Sequence, residues 1–458
     1  MDGEEQARRA RRARELVAAL EADDVEVVAL TWVDNAGITR VKTVPLTRLE
    51  RAAAWGVGMS PVFDVFLLND TITTSEFVGG PDGDLRLIPD LSRITRLAAQ
   101  PGWAWAPVDR YTQEGQVYMA CQRWFARRMM VLARQRGFDL RMGFEIEWFV
   151  GYEIDGAVVP AMSGPAYGMT RVLELSGYIR EIVATLTAQG IEVLQVHPEY
   201  AAGQMELSFA AEDPMTAADL SVLVRQTIRT VSLRHGYQAS FAPVVVAGQV
   251  GNGGHLHASI WQSGRNLCSG GSGPYGMTAE AESFVAGVLR QLPALLAVGA
   301  PSVSSYLRLV PSQWAGVFQC WGRENREAAV RVITGMAGSE GVNANVEIKC
   351  FDLSANPYLA VGCVIAAGLE GIDDGLRLPA EVVGDPAGML AEDLEKLGVK
   401  RLPETLAEAA DEMEHCETIR DAMGPPLFEA FLAVRRAEVD LFAGQTADQI
   451  VAATRWRH

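Results

Sequence analysis

The sequence predicts an α+β fold in two parts: a small β-rich domain over residues 1–115 and a larger α+β domain over 116–458. Three observations point there. A β-branched run at 25–33 opens a hairpin before residue 115, helical and strand patterns alternate from Gln122 onward, and the last third is mostly helical. At 458 residues, 49% apolar and 21% charged, the chain is long enough to bury a large core in more than one domain.

A first helix is expected over 4–20. Its Arg8 and Arg14 region is interleaved with alanines and flanked by Glu4, Glu5 and Glu15, which reads as a solvated face rather than a nucleic-acid patch. VEVVALTWV (25–33) reads as a strand, Asn35-Ala36-Gly37 as a turn, and 39–44 as the returning strand of a hairpin. The Gly-, Pro- and Asp-rich stretch 56–90 is expected to be irregular, and a short strand over 104–108 follows. In the larger domain, helices are expected over 122–136, 170–189, 216–235, 279–298, 357–371 and 404–421. Strands are expected over 140–151, 191–197, 204–210, 239–246 and 255–262, in an arrangement able to form an antiparallel sheet.

Bulk chemistry excludes several functions. A formal charge of −17 argues against nucleic acid or an anionic membrane as the main partner. A protein this negative that handles an anionic nucleotide has to concentrate positive charge locally. The six cysteines (121, 268, 320, 350, 363 and 416) show no Cys-x-x-Cys spacing, which suits reduced packing residues. The charged N-terminus lacks a secretory pattern, and the apolar stretch 358–369 falls short of the ~18 residues of a span. A cytoplasmic protein is expected.

The chemistry-bearing residues sit in short motifs. In MGFEIEWFV (142–150), Glu145 and Glu147 are two apart on a strand, so both carboxylates face one side. Such a pair is either an exposed face or a shared metal site. VHPEYAAGQMEL (196–207) places Glu199 and Glu206 either side of a glycine turn. VGNGGHLHAS (250–259) puts His255 and His257 on one strand face after a glycine run, and NVEIKCFDL (345–353) repeats the spacing with Glu347 and Lys349. A carboxylate-rich site with one histidine and no thiolate suits Mg²⁺ or Mn²⁺ rather than zinc. Arg308 in YLRLVPSQW (306–314) and Arg323, Arg326 and Arg331 in WGRENREAAVR (321–331) offer guanidinium forks for phosphate and carboxylate. Divalent cations beside arginines make a phosphoryl-transfer parts set. Neither a P-loop nor a dinucleotide fingerprint is present.

Taken in order, FEIEWF, HPEYAAGQMEL, GNGGHLHAS, RLVP, ENREAAVR and VEIKCFDLSANPYL resemble type I glutamine synthetase over nearly the whole chain. The resemblance implies a β-grasp-like N-terminal domain and a large catalytic domain with a curved antiparallel sheet. It further implies a homododecamer with active sites between subunits, and an ATP- and divalent-metal-dependent reaction through γ-glutamyl phosphate. By motif position it assigns Glu147, Glu199 and Glu206 to the metal nearer glutamate, and Glu145, His255 and Glu347 to the metal bridging the ATP phosphates. His257 and Ser259 match nucleotide contacts, Gly251 and Arg308 glutamate contacts, and Arg326 and Arg331 contacts to the transferred phosphate. Lys349 stands where the family usually has Arg, retaining the charge but losing the bidentate fork.

The acceptor half departs from the pattern. Ammonia-using members carry a glutamate on a flap after RLVP, where this sequence has Trp314, and an aspartate in an N-terminal loop that aligns with 56–61, which holds no acid. Losing two anionic groups removes much of the attraction for ammonium, and an indole suits a carbon-bearing amine. The expectation is therefore a glutamate–amine ligase with an organic acceptor oriented or deprotonated by Glu199, Tyr167 and Ser60, with Trp314 in contact. A small monoamine such as ethanolamine is favoured over a polyamine because the altered loops are not visibly acidic. Ammonia-dependent glutamine synthesis and a non-catalytic structural or regulatory role are the alternatives. The tyrosine-free stretch 386–402 implies no control by adenylylation.

Overall fold

The computed structural model describes residues 2–80 and 82–458; Pro81, inside the stretch expected to be irregular, lies outside them. Two sheets organise the chain. The first runs Thr39–Pro45, Val27–Val33, Trp103–Thr112, Leu85–Pro89, Val57–Met59 in spatial order, with Thr95–Arg96 at its side. Val27–Val33 pairs antiparallel with its hairpin partner and parallel with Trp103–Thr112. The hairpin therefore forms as expected, whereas the stretch 56–90 contains two strands that its Gly, Pro and Asp content concealed. Leu85–Pro89 pairs with Trp103–Thr112 over five positions, and Leu85, Leu87 and Ile88 are buried. Long-range pairing and burial override local turn propensity there.

Among the described residues the second sheet has eleven strands and is antiparallel except for Phe318–Arg323 beside Ala328–Ile333. Its centre is the long strand Asp139–Ile154, flanked by Gln204–Phe209 on one side and Leu256–Gln262 on the other. Helices cover its outer face. Ala279–Gly299 and Pro357–Asp373 pack so closely that a Cβ on Gly287 would lie 2.3 Å from the Ala367 carbonyl oxygen. Ala279–Gly299 is also the one helix among the described residues with the length and hydropathy of a membrane span, but 83% of that window is buried inside the protein. All six cysteines are buried and unpaired.

Three expected elements are corrected. The strand expected over 239–246 is only Gln238–Ser240. Beyond it the chain turns to serve the glycine run: the Pro243 carbonyl accepts from the Asn252 amide at 2.9 Å, and the Ala242 carbonyl from Asn252 Nδ2 at 2.9 Å. The helix over 170–189 is two helices, Met169–Glu174 and Ser176–Ala188, and that over 404–421 is Leu406–Glu414 and Glu417–Met423.

A buried cation ties the two sheets together. Arg123, on the helix Gln122–Gln135, reaches Asp90 at 2.8 Å, Asp109 at 2.9 Å and Asp219 at 2.8 Å. Asp90 and Asp109 belong to the first sheet region, and Asp219 to the helix Pro214–Arg234 behind the second.

Candidate active site

Sheet register assembles the site. Glu206 lies directly opposite Glu147 and Ser208 opposite Glu145. Farther along the sheet His257 is opposite Glu347, and Glu347 is opposite Arg331. Residues opposite one another in a ladder project to the same face, so five strands deliver their charged side chains to one cleft of about 950 Å³. Alternating with these glutamates, Phe144, Ile146 and Trp148 project to the other face and are buried in the core.

Two ligand groups result. In the first, His255 Nδ1 is 2.8 Å from Glu145 Oε2 and 3.0 Å from Glu347 Oε1, and His257 Nε2 is 3.2 Å from Glu145 Oε1. Burial disfavours the Glu145 and Glu347 carboxylates, but hydrogen bonds from His255, with His257 at Glu145 and Lys349 at Glu347, hold both below the usual range. In the second, His197 Nε2 is 3.2 Å from Glu206 Oε1 and its Nδ1 3.5 Å from Glu199 Oε1. The hydrogen bond to Glu206 raises His197 to about 9, while burial pushes Glu206 and Glu199 above the ordinary carboxylate range. Within each trio, Glu145–His255–Glu347 and His197–Glu199–Glu206, ligand atoms lie within 4.8 Å of one another. Carboxylate oxygens with one imidazole and no thiolate fit a hard divalent cation.

Glu147 stands between the trios. Its Oε2 accepts from Gln204 Nε2 at 3.0 Å and from the Gly253 amide at 2.7 Å, and its Oε1 is 3.8 Å from His255 Nε2. The glycine run is required for this approach: a Cβ on Gly253 would lie 2.5 Å from His255 Nε2 and 2.7 Å from Glu147 Oε1. Gly253→Ala is therefore expected to weaken divalent-cation binding about tenfold or more while the protein still folds, because the clash falls on the ligands themselves. Isothermal titration with Mn²⁺ checks this.

The positive side is equally built. Lys349 Nζ lies 3.2 Å from Glu347, and Arg331 bridges Glu347 at 3.0 Å and Glu324 at 2.9 Å. Arg308 donates to the Lys349 carbonyl at 3.0 Å and stands 3.3 Å from His255 Nε2. A Cβ on Gly251 would meet the Pro243 carbonyl oxygen at 2.1 Å, so this backbone is packed against Pro243 and the Arg308 stem. Arg326 holds its guanidinium 5.7 Å from the centre of the Trp314 ring at the cleft mouth. Across the cleft the Tyr167 hydroxyl donates to Glu199 Oε2 at 2.7 Å.

Two expected residues lie off the cleft wall. Ser259, on the same strand face as His257, accepts from the Trp261 indole at 2.8 Å and is buried. Ser60 caps the short helix Pro61–Val65 in the first domain. Sequence reasoning misses His197, although its place two residues before Glu199 in HPE is a usable signal. Arg171 carries no such signal. Buried, it donates to the carbonyls of Glu199 at 2.6 Å and Ala201 at 2.8 Å, and to Gly164 at 2.6 Å, and so fixes the loop that presents Glu199.

The glutamine synthetase N-terminal domain family matches residues 12–120, and the glutamine synthetase catalytic domain family matches residues 119–453. The chain belongs to the glutamine synthetase family. It is a ligase that forms a C–N bond, in a family that uses ATP and divalent metals. The γ-glutamylpolyamine synthetase GlnA3 of Streptomyces coelicolor is 55% identical over 450 residues, covering 98% of this chain and 97% of the relative. A glutamine synthetase of Methanocaldococcus jannaschii is 30% identical over 441 residues, covering 93% and 94%. Among solved structures, one described as a novel glutamine synthase homolog superposes with a TM-score of 0.84 at 30% identity, over 95% of this chain and 99% of its own. An ADP complex of GmaS superposes at 0.83 and 26% identity, over 94% and 97%.

Proposed function

We propose that this protein joins the γ-carboxylate of L-glutamate to an amino group of a polyamine, with ATP converted to ADP and phosphate through γ-glutamyl phosphate. The observation that carries the reading is Trp314. It is 54% exposed at the mouth of a cleft that holds the metal-ligand trios with Arg308 and Arg331 farther in, on a loop that contributes no acid. An indole there offers an apolar and cation–π surface to an alkyl amine. Ammonium can use the cation–π face but has no carbon to pack against the ring.

Two points favour a polyamine over the ethanolamine-sized acceptor expected from the loop sequence. The 55% identical relative is named a γ-glutamylpolyamine synthetase. The fold also brings acids from elsewhere in the chain to the Trp314 loop: Asp385 accepts from the Ser312 hydroxyl at 2.6 Å, and Glu327 from the Trp314 amide at 2.9 Å. The Ser312 hydroxyl is a neutral donor, so the Asp385 carboxylate leaves negative charge beside the loop, where a distal ammonium would lie, whereas Glu327 is buried and burial raises its pKa.

Within this reading, Glu145, His255 and Glu347 hold a divalent cation at the ATP phosphates. Glu199 and Glu206, with Glu147 and His197 beside them, hold a second near glutamate. Bound Mg²⁺ or Mn²⁺ would neutralise phosphate charge. Arg308 and Gly251 place glutamate, and Lys349 directs its charge toward the γ-carboxylate. Arg326 and Arg331 neutralise the transferred phosphoryl oxygens. His257 faces the nucleotide, and Ser259, off the cleft wall on the same strand face, backs it. Glu199, oriented by Tyr167, receives the proton of the attacking amine. Ser60 does not line the cleft of its own chain, and its role is assigned to the acceptor site of a neighbouring subunit in a cytoplasmic homododecamer. Incubation with ATP, glutamate, Mg²⁺ and spermidine is expected to give γ-glutamylspermidine and ADP in equal amounts by mass spectrometry. ADP formed with spermidine unmodified would overturn the reading.

A further inference from the structure

The Trp314 loop is held in an unusual conformation. Ser312 and Trp314 have φ values of 60° and 55°, in the left-handed region, which bulky residues rarely adopt unless their surroundings fix them. The fixing contacts are visible. Glu327, 8% exposed, accepts the Trp314 amide at 2.9 Å, and Asp385 accepts the Ser312 hydroxyl at 2.6 Å. Asn325 closes the ring: its Nδ2 donates to the carbonyls of Val382 and Gly384 at 2.9 Å each, and its Oδ1 accepts the Glu327 amide at 3.0 Å. Three segments remote in sequence are thereby joined round Arg326, whose guanidinium faces the Trp314 ring.

We propose that Glu327 is a positioning residue that locks the Trp314 loop onto the turn bearing Arg326, so that the amine-facing indole and the phosphate-facing guanidinium keep one fixed relation. The inference rests on the roles given above to Trp314 and Arg326. A bimolecular attack on γ-glutamyl phosphate gains from such fixed placement, because the amine has to approach along one line. Glu327 is well suited to this role, since a carboxylate accepts a backbone amide strongly and its own segment is anchored by Asn325. Without it, the Trp314 amide loses its acceptor and the left-handed backbone loses its restraint.

The test uses the full-length enzyme and whichever acceptor the wild type turns over. Glu327→Ala is expected to raise KM for the amine about tenfold, leave KM for ATP and glutamate within about twofold, and keep a cooperative melt. Glu327→Gln keeps an acceptor oxygen for the Trp314 amide and is expected to stay within about threefold of wild type. Ser312→Ala, at an exposed position, removes the second anchor and is expected to shift the amine KM in the same sense by about threefold. Equal shifts in all three KM values, no shift at all, or a Gln variant as impaired as Ala would overturn the proposal. If Glu327→Ala fails to fold, an unchanged amine KM in Ser312→Ala overturns it alone. Turnover with ammonium only would remove the polyamine reading, yet the KM pattern would still decide the loop. No turnover with any amine would overturn both.

Discussion

Glu347→Gln is expected to lower kcat/KM by about a thousandfold and to reduce the thermal stabilisation that Mg²⁺ or Mn²⁺ gives the wild type to what the second trio supplies. Glu347 is 1% exposed and serves three partners: His255 at 3.0 Å, Lys349 at 3.2 Å and Arg331 at 3.0 Å. The amide keeps the shape but removes the charge that a cation and two basic side chains share. In metal-free buffer the variant should also be less stable by about 3 kcal/mol, because Lys349 is left buried without its carboxylate; Arg331 retains Glu324 at 2.9 Å. Paired melting curves with and without Mn²⁺, beside phosphate-release kinetics, check both parts. A variant stabilised by Mn²⁺ as much as the wild type would remove Glu347 from the ligand set.

Trp314→Glu is expected to change acceptor choice more than any other single substitution. It returns an acid to the flap position and removes the apolar surface. The ratio of kcat/KM for spermidine to that for ammonium should fall about a hundredfold, with ammonium-dependent phosphate release appearing above background. The loop tolerates the exchange in principle, since residue 314 is 54% exposed and its anchor is the backbone amide rather than the ring. A ratio that stays constant would mean that selectivity resides elsewhere, for instance around Tyr167.

The features readable in the sequence are those with short-range signatures. The Glu145/Glu147, His255/His257 and Glu347/Lys349 pairs announce themselves by their spacing of two; the strands of the first two form as expected, and Glu347 lies on a further strand, Asn345–Ile348. What spacing does not provide is register. That Glu206 faces Glu147, and that Glu347 faces both His257 and Arg331, depends on pairing across 16 to 90 residues. For the same reason the acids at the Trp314 loop are invisible in the sequence: Asp385 lies 73 residues and Glu327 13 residues away along the chain. A preference for an uncharged acceptor tail follows from inspecting the loop alone. The segment after Ser240 fails differently. Its Val244–Val245–Val246 run reads as a strand, yet the backbone just before it is engaged by Asn252 in placing the glycine turn. Local β-propensity loses to a tertiary contact.

The most direct measurement is steady-state phosphate release from ATP with saturating glutamate and Mg²⁺, comparing ammonium, ethanolamine, putrescine and spermidine at equal concentration and pH. Polyamine ligation predicts release that depends on putrescine or spermidine, with ammonium near background. Ammonium turnover equal to or above that with the polyamines would contradict it.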